Sequence, residues 1–222
     1  MDLTDELKHY FKDEFEEYEN YLKEALRTDY RLANIILNYI VTRRGKEIRP
    51  LLVFMISSLY NSRVSERAIR LAAMIEILHT ATLVHDDIVD DADLRRGRFT
   101  VNALWKNKGA VLIGDYLLAK GLMLSIDSEE YGFLRMLSDV VKNMSEGELL
   151  QMEKSRFMNV DESLYYEIIR KKTALLFSLS MLAGGISVDC SNDELEKLKV
   201  TGEQIGIAFQ IKDDLLDFGI GG

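Results

Sequence analysis

Two stretches of this chain carry carboxylates at a spacing that can do chemistry. His85-Asp86-Asp87-Ile88-Val89-Asp90 and Lys212-Asp213-Asp214-Leu215-Leu216-Asp217 both read Asp-Asp-x-x-Asp. Four residues along a helix amount to a net rotation of about 40°, so Asp86 and Asp90 share a face, as do Asp213 and Asp217. Like charges at that spacing destabilise a helix by a few tenths of a kcal/mol. Apolar neighbours such as Leu83, Val84, Ile88 and Leu215 make water scarce and raise that cost. One such cluster reads equally well as a solvated helix end. Two copies set in apolar helices favour a site for a hard cation. Oxygen donors with no soft ligand nearby suit Mg2+, which usually keeps coordination positions open for phosphate oxygens.

Anions need direct contacts as well, and three local basic groups offer them: Arg43-Arg44-Gly45-Lys46-Glu47-Ile48-Arg49-Pro50, Arg95-Arg96-Gly97-Arg98, and Arg170-Lys171-Lys172-Thr173. Arginine grips phosphate bidentately and lysine acts as a point charge. Arg43 and Arg44 are explained equally well by the dipole of a helix end, but Lys46 and Arg49 follow Gly45 and are not. The third group also reads as a charged helix face. His79, two turns before Asp86, is either a satisfied core histidine or a donor facing phosphate.

The elements that must position these groups are helices. A single proline, Pro50, and sparse glycines permit long ones. Apolar residues from Leu3 to Ala25 recur at helical spacing, and Leu32 to Val41 forms a second helix. Pro50 opens a third. The segment from Ile69 to Val84 is apolar on nearly every side and belongs at the centre of a bundle. Further helices are expected over 110–125, 132–152, 163–183 and 193–218, the third opened by Asp161 or Glu162 and closed by Gly184-Gly185. No linker or repeat interrupts residues 1–222, so one all-α domain is expected.

Composition narrows the function classes. The 222 residues are 47% hydrophobic and carry a formal net charge of -9, which disfavours general binding of nucleic acid. The lone Cys190 permits no internal disulfide and fits a reducing compartment. As a nucleophile it lacks a nearby histidine. The N-terminus Met1-Asp2-Leu3-Thr4-Asp5-Glu6 lacks the basic start of a signal peptide, and no apolar run of spanning length is expected. A soluble, cytoplasmic protein without a transmembrane segment follows.

Four motifs, in order, make the chain resemble the trans-isoprenyl diphosphate synthases, or polyprenyl synthetases: Gly45 to Pro50; His79 through Asp90 with Arg95-Arg96-Gly97; Lys172-Thr173; and Phe209-Gln210-Ile211-Lys212-Asp213-Asp214 through Asp217. The resemblance implies an all-α isoprenoid-synthase-type bundle around a central cavity, usually a homodimer. It implies Asp86, Asp87, Asp90, Asp213 and Asp217 as ligands of several Mg2+ ions holding an allylic diphosphate. Arg95, Lys172, Thr173 and Gln210 are its further contacts, and Lys46, Arg49, His79 and Arg96 the isopentenyl diphosphate site. Among these, Asp86, Asp87, Asp90, Lys172 and Asp213 would carry the catalysis. Chains of this family continue beyond the second motif, whereas this sequence ends at Gly222, so a domain lacking the family's C-terminal part is expected.

The implied reaction condenses isopentenyl diphosphate with the allylic diphosphate and releases diphosphate. Family members with short products tend to carry a bulky aromatic four or five residues before the first aspartate. Here those positions hold Thr82 and Ala81, and Leu122 or Met123 is the candidate for a deeper floor. A long-chain product around the octaprenyl class is expected. The competing readings are a short-chain synthase making farnesyl or geranylgeranyl diphosphate, and a non-catalytic diphosphate-binding partner subunit. Degenerate aspartate motifs would favour the second, and both motifs are intact.

Overall fold

Scarcity of helix breakers sets the architecture. A computed structural model describes residues 3–42, 45–61, 63–95, 97–155, 161–217 and 219. Among them lie ten α-helices: α1 Leu3–Tyr10, α2 Lys12–Ala25, α3 Arg31–Val41, α4 Ile48–Tyr60, α5 Glu66–Val89, α6 Val101–Asp127, α7 Tyr131–Ser155, α8 Glu162–Ile169, α9 Leu175–Ile186 and α10 Asn192–Asp217. A π-helical turn, Arg170–Ala174, joins α8 to α9, and a two-residue hairpin pairs β1 Leu94–Arg95 with β2 Arg98–Phe99. The all-α class holds.

Several boundaries differ from the sequence reading. The first helix breaks at Phe11 (φ -95°, ψ 29°). The central helix starts earlier, at Glu66, and ends at Val89, one residue before Asp90. α6 begins at Val101 rather than near 110, and Gly184-Gly185 does not close its helix: both glycines are buried inside α9, which runs on to Ile186 because they admit Ile56 and Leu198. The helix expected over 163–183 contains the π-turn, which is set by packing rather than by periodicity. Local start signals do hold. Asp161 caps α8 by accepting from the Leu164 amide at 2.8 Å. Ser191 and Glu194 form a reciprocal capping box at α10, with the Ser191 amide donating to Glu194 at 2.9 Å. Pro50 sits in the first turn of α4, where its missing N–H is harmless.

The chain divides into two compact units, one of Met1–Leu51 with Ile69–Tyr131, the other of Leu52–Ala68 with Gly132–Gly222. In the first, α5 is buried without interruption over residues 71–78, as a central helix must be. α6 approaches it through two glycines. A Cβ on Gly121 would lie 2.9 Å from Leu78, and one on Gly114 would overlap the His85 ring. In the second unit, α9 is buried all round over residues 176–181. α10 lies against α9 and the π-turn, again through glycines: a Cβ on Gly202 would meet Ser178 Cα at 2.7 Å, and one on Gly206 would meet Ala174 Cα at 2.5 Å. Arg67 ties the end of α9, donating to the Ile186 carbonyl at 2.8 Å and pairing with Asp189 at 2.9 Å.

α5 and α6 are long and apolar enough to cross a bilayer by length and composition, which the sequence reading did not anticipate. In α5, 67% of that stretch is buried inside protein, as in the core helix of a globular unit.

The glycine contacts are testable. Gly206→Ala gains about 1 kcal/mol of helix propensity but forces backbone apart at Ala174, at a cost of about 1–3 kcal/mol. Because backbone cannot swing aside as a side chain can, we expect a net loss of stability, read as a lowered midpoint in urea. A midpoint at or above that of the parent would show that the helices part without cost.

Candidate active site

The first motif ends α5, and its own residues build the end. The amide of Ala92 donates to the Asp87 carbonyl at 3.0 Å and that of Asp91 to Ile88 at 3.3 Å, with Asp91 at φ 49°. This is the six-to-one and five-to-two pattern of a Schellman close, and aspartate is among the residues that tolerate the left-handed position. The chain therefore reverses at once into the β1–β2 hairpin, turned at Gly97 (φ 71°). Thr100 holds the return, donating to the Ala92 carbonyl at 2.7 Å, and Tyr39 donates to the Phe99 carbonyl at 2.6 Å.

The reversal lays Arg95 on Asp87 at 2.9 Å. Asp87 is buried, and burial pushes its carboxyl above the usual range, partly offset by the hydrogen bond and charge of Arg95. Asp86 is half-buried and Asp90 exposed. Within the motif Asp87 pairs with Arg95, while Asp86 and Asp90 lie one turn apart on another face, one half-buried and one exposed. Asp87 and Arg95 line a cavity of about 300 Å³ with Tyr39, Glu76, Thr80 and Phe99. Sequence reasoning missed this cavity, because Glu76 and Thr80 carry no motif signal.

The expected isopentenyl diphosphate contacts are partly assembled. Arg49 of α4 is 3.0 Å from His79 Nε2. Arginine can only donate, so Nε2 accepts and the ring carries its proton on Nδ1 in this arrangement. Lys46 is exposed in the loop before α4. Arg96 lies outside the described residues, as do Arg43 and Arg44. Of the chain-length positions, Ala81 is buried, Thr82 is half-buried with its hydroxyl bonded to the His79 carbonyl at 2.8 Å, and Leu122 is half-buried beside Gly121.

In the second unit the π-turn carries Lys172 and Thr173, in keeping with the frequency of such turns at functional sites. Lys172 pairs with Glu148 at 2.5 Å and donates to Gln151 at 2.8 Å. Neither α7 residue was singled out from sequence, although their spacing of three puts them on one helix face. Thr173 donates to Gln210 at 2.7 Å, Gln210 donates to Asp214 Oδ1 at 2.8 Å, and the Tyr165 hydroxyl donates to Asp214 Oδ2 at 2.5 Å. Burial, then the Asp214 carboxylate, push the Tyr165 phenol up to about 12. Asp213 is exposed, and the side chain of Asp217, the last residue of α10, lies outside the described residues.

Among the described residues no three His, Cys, Asp or Glu side chains gather into a metal cage. The donors present are carboxylate oxygens, with Asp90 and Asp213 reachable from solvent. That set fits a hard cation whose shell is completed by substrate oxygens and water, not one enclosed by protein.

Solved structures define the class first. The chain superposes with a TM-score of 0.90 and 35% identity on a decaprenyl diphosphate synthase from Rhodobacter capsulatus, over 97% of this chain and 66% of that one. It matches equally, at 0.90 and 31% identity, a polyprenyl synthase from Caulobacter crescentus complexed with calcium and isoprenyl diphosphate, over 97% and 66%. The fold is that of the all-α isoprenoid synthases. Octaprenyl diphosphate synthase of Escherichia coli is 36% identical over 199 residues, 90% of this chain and 61% of that protein. The sequence profile of the family described as Polyprenyl synthetase matches residues 31–220. The chain belongs to the polyprenyl synthetase family. It spans less than two thirds of the length of each of these relatives, 61%, 66% and 66%.

The Asp87–Arg95 pair generates a pH-resolved prediction. Arg95→Met leaves Asp87 buried without its cation. Arg95 is itself 44% exposed, so the expected loss is about 1–2 kcal/mol at neutral pH rather than the larger cost of a fully buried pair. Without Arg95 the folded-state pKa of Asp87 rises further above its unfolded value. The folded state then favours the protonated acid, and stability is lost as pH rises through that raised value. Denaturant midpoints of variant and parent should converge near pH 4 and separate near pH 7; a pH-independent gap would contradict this coupling.

Proposed function

We propose that the chain is the metal- and substrate-binding part of a Mg2+-dependent trans-polyprenyl diphosphate synthase, which condenses isopentenyl diphosphate with an allylic diphosphate to make a long-chain product. The observation that carries this reading is the helical setting of the first motif, which puts Asp86 and Asp90 one turn apart beside the Asp87–Arg95 pair at 2.9 Å. The Caulobacter relative, complexed with a divalent cation and isoprenyl diphosphate, supports it. The family profile over residues 31–220 runs through both compact units and supports a single synthase domain.

In this reading Asp86, Asp87 and Asp90 with Asp213 and Asp217 would supply oxygens to Mg2+, which when bound would provide the positive charge that stabilises the departing allylic diphosphate. Arg95, Lys172 and Gln210 donate to that diphosphate, and Thr173, whose hydroxyl proton goes to Gln210, orients that carboxamide. Lys46, Arg49, His79 and Arg96 hold isopentenyl diphosphate. The allylic carbon–oxygen bond breaks with its electron pair leaving on diphosphate. The isopentenyl double bond attacks the carbocation, forming the new carbon–carbon bond. A proton then leaves for the released diphosphate, restoring a double bond. Apolar walls exclude the water that would quench the cation. No nucleophilic side chain is required.

The remaining expectations belong to the same reading. Apolar side chains exposed along α6, among them Leu104, Leu112, Met123 and Ile126, support a homodimer. The free thiol of Cys190 supports a reducing, cytoplasmic setting. The small Ala81 and the slender Thr82 support a long product.

Asp86→Ala or Asp213→Ala should reduce incorporation of labelled isopentenyl diphosphate by at least about 100-fold and leave the circular dichroism spectrum unchanged. Near-parental transfer by either variant would refute the assignment. Leu122→Phe should shift the product distribution, read by chromatography, toward shorter chains. An unchanged distribution would remove Leu122 as the floor, and farnesyl or geranylgeranyl products from the parent would replace the long-chain reading with the short-chain one.

A further inference from the structure

The roles proposed for the aspartates leave Asp214 without one, although both its oxygens are engaged. The geometry of α10 explains how. Gly202, Gly206, Gln210 and Asp214 recur every four residues and therefore form one stripe. The first two are bare backbone and let α10 close on the opposing helix, to 2.7 Å from Ser178 Cα and 2.5 Å from Ala174 Cα for an added Cβ. The next two reach across the same gap to polar partners: Gln210 to Thr173 at 2.7 Å, and Asp214 to Tyr165 at 2.5 Å.

Tyr165 and Thr173 are eight residues apart. On an uninterrupted α-helix they would be rotated by about 80° from one another. The π-turn Arg170–Ala174 begins between them and takes in Thr173 itself, and its wider winding reduces that offset. The turn therefore does more than carry Lys172 and Thr173; it puts Tyr165 in register with the second aspartate motif.

The partner chosen is chemically selective. Asp213, Asp214 and Asp217 crowd the C-terminal end of α10, where the helix dipole and mutual repulsion both disfavour negative charge. An arginine there, as Arg95 serves Asp87, would cancel charge that a cation site needs. A phenol and a carboxamide donate hydrogen bonds to Asp214 and add no positive charge. The Gln210 amide is itself oriented, since its oxygen accepts from Thr173 while its nitrogen donates to Asp214.

We infer that Tyr165 is a positioning residue: its hydroxyl holds Asp214 as a protein-bound carboxylate and so fixes the presentation of the neighbouring Asp213 to Mg2+-bound diphosphate. This rests on the Mg2+–diphosphate reading of the site. Asp214 is then a strut and not a ligand, and the chain Thr173–Gln210–Asp214–Tyr165 is its scaffold.

The test is a double-mutant cycle on the 222-residue chain with Tyr165→Phe, Asp214→Ala and the pair. Calorimetry measures binding of inorganic diphosphate with and without Mg2+, and thermal denaturation is followed in parallel. Tyr165→Phe should weaken Mg2+-dependent binding about tenfold, the size of one hydrogen bond to a charged group. It should lower the melting temperature by only about 2–4 °C. The double variant should bind no more weakly than Asp214→Ala alone. Parental affinity in Tyr165→Phe would overturn the inference, as would losses that simply add in the double variant. If the unaltered chain binds diphosphate without regard to Mg2+, the underlying reading fails and this inference with it.

Discussion

A carboxylate withdrawn from water has to be matched, and the chain meets that constraint twice in the same way. The first motif places adjacent carboxylates on a largely apolar helix, where charge is costly, and the second sets Asp214 against α8 and the π-turn while Leu215 and Leu216 stay exposed. In each, the middle aspartate is bound by another part of the same compact unit. Asp87 takes a guanidinium, from Arg95; Asp214 takes a phenol and a carboxamide, from Tyr165 and Gln210. In the proposed reading Asp86 and Asp213 are steadied by neighbours that are themselves anchored. Replacing these anchors would leave the motifs legible in the sequence and blunt in space.

The anchors depend on backbone geometry more than on side-chain chemistry. Arg95 reaches Asp87 because the Schellman close at Asp91 reverses the chain within a few residues and Gly97 turns the hairpin. Tyr165 reaches Asp214 because a π-turn corrects the helical register and two glycines remove the side chains that would hold α10 away. Gly114 plays a comparable part at α6, where the space of a side chain is filled by the ring of His85. Small deformations and absent side chains thus fix where the charged groups stand.

Much of this was readable in advance. Helix positions followed from the 3.6-residue period and from Pro50, Asp161 and the sparse glycines. The central place of α5 followed from its lack of a polar face. The motifs at Asp86 and Asp213 stood out because repeated carboxylates in apolar helices are expensive and seldom occur without use. Glu148, Gln151 and Tyr165 did not stand out, since an isolated polar residue on a half-exposed helix has no local signature. Glu76 and Thr80, which line the cavity beside Asp87, are polar exceptions in an apolar core helix, and the sequence does not say what they face.

The amino-acid order alone determined what is local: where helices start and stop, which faces are apolar, and which aspartates fall one turn apart. These depend on backbone dihedrals and near neighbours, which reach only a few residues along the chain. Tertiary structure alone decided which groups bind Asp87 and Asp214, because Arg95 and Tyr165 are brought in from elsewhere along the chain. The π-turn belongs to the second kind. Nothing in Arg170-Lys171-Lys172-Thr173-Ala174 demands it; it is compatible with the close packing of α10, whose glycines at 202 and 206 admit backbone where a side chain would otherwise stand.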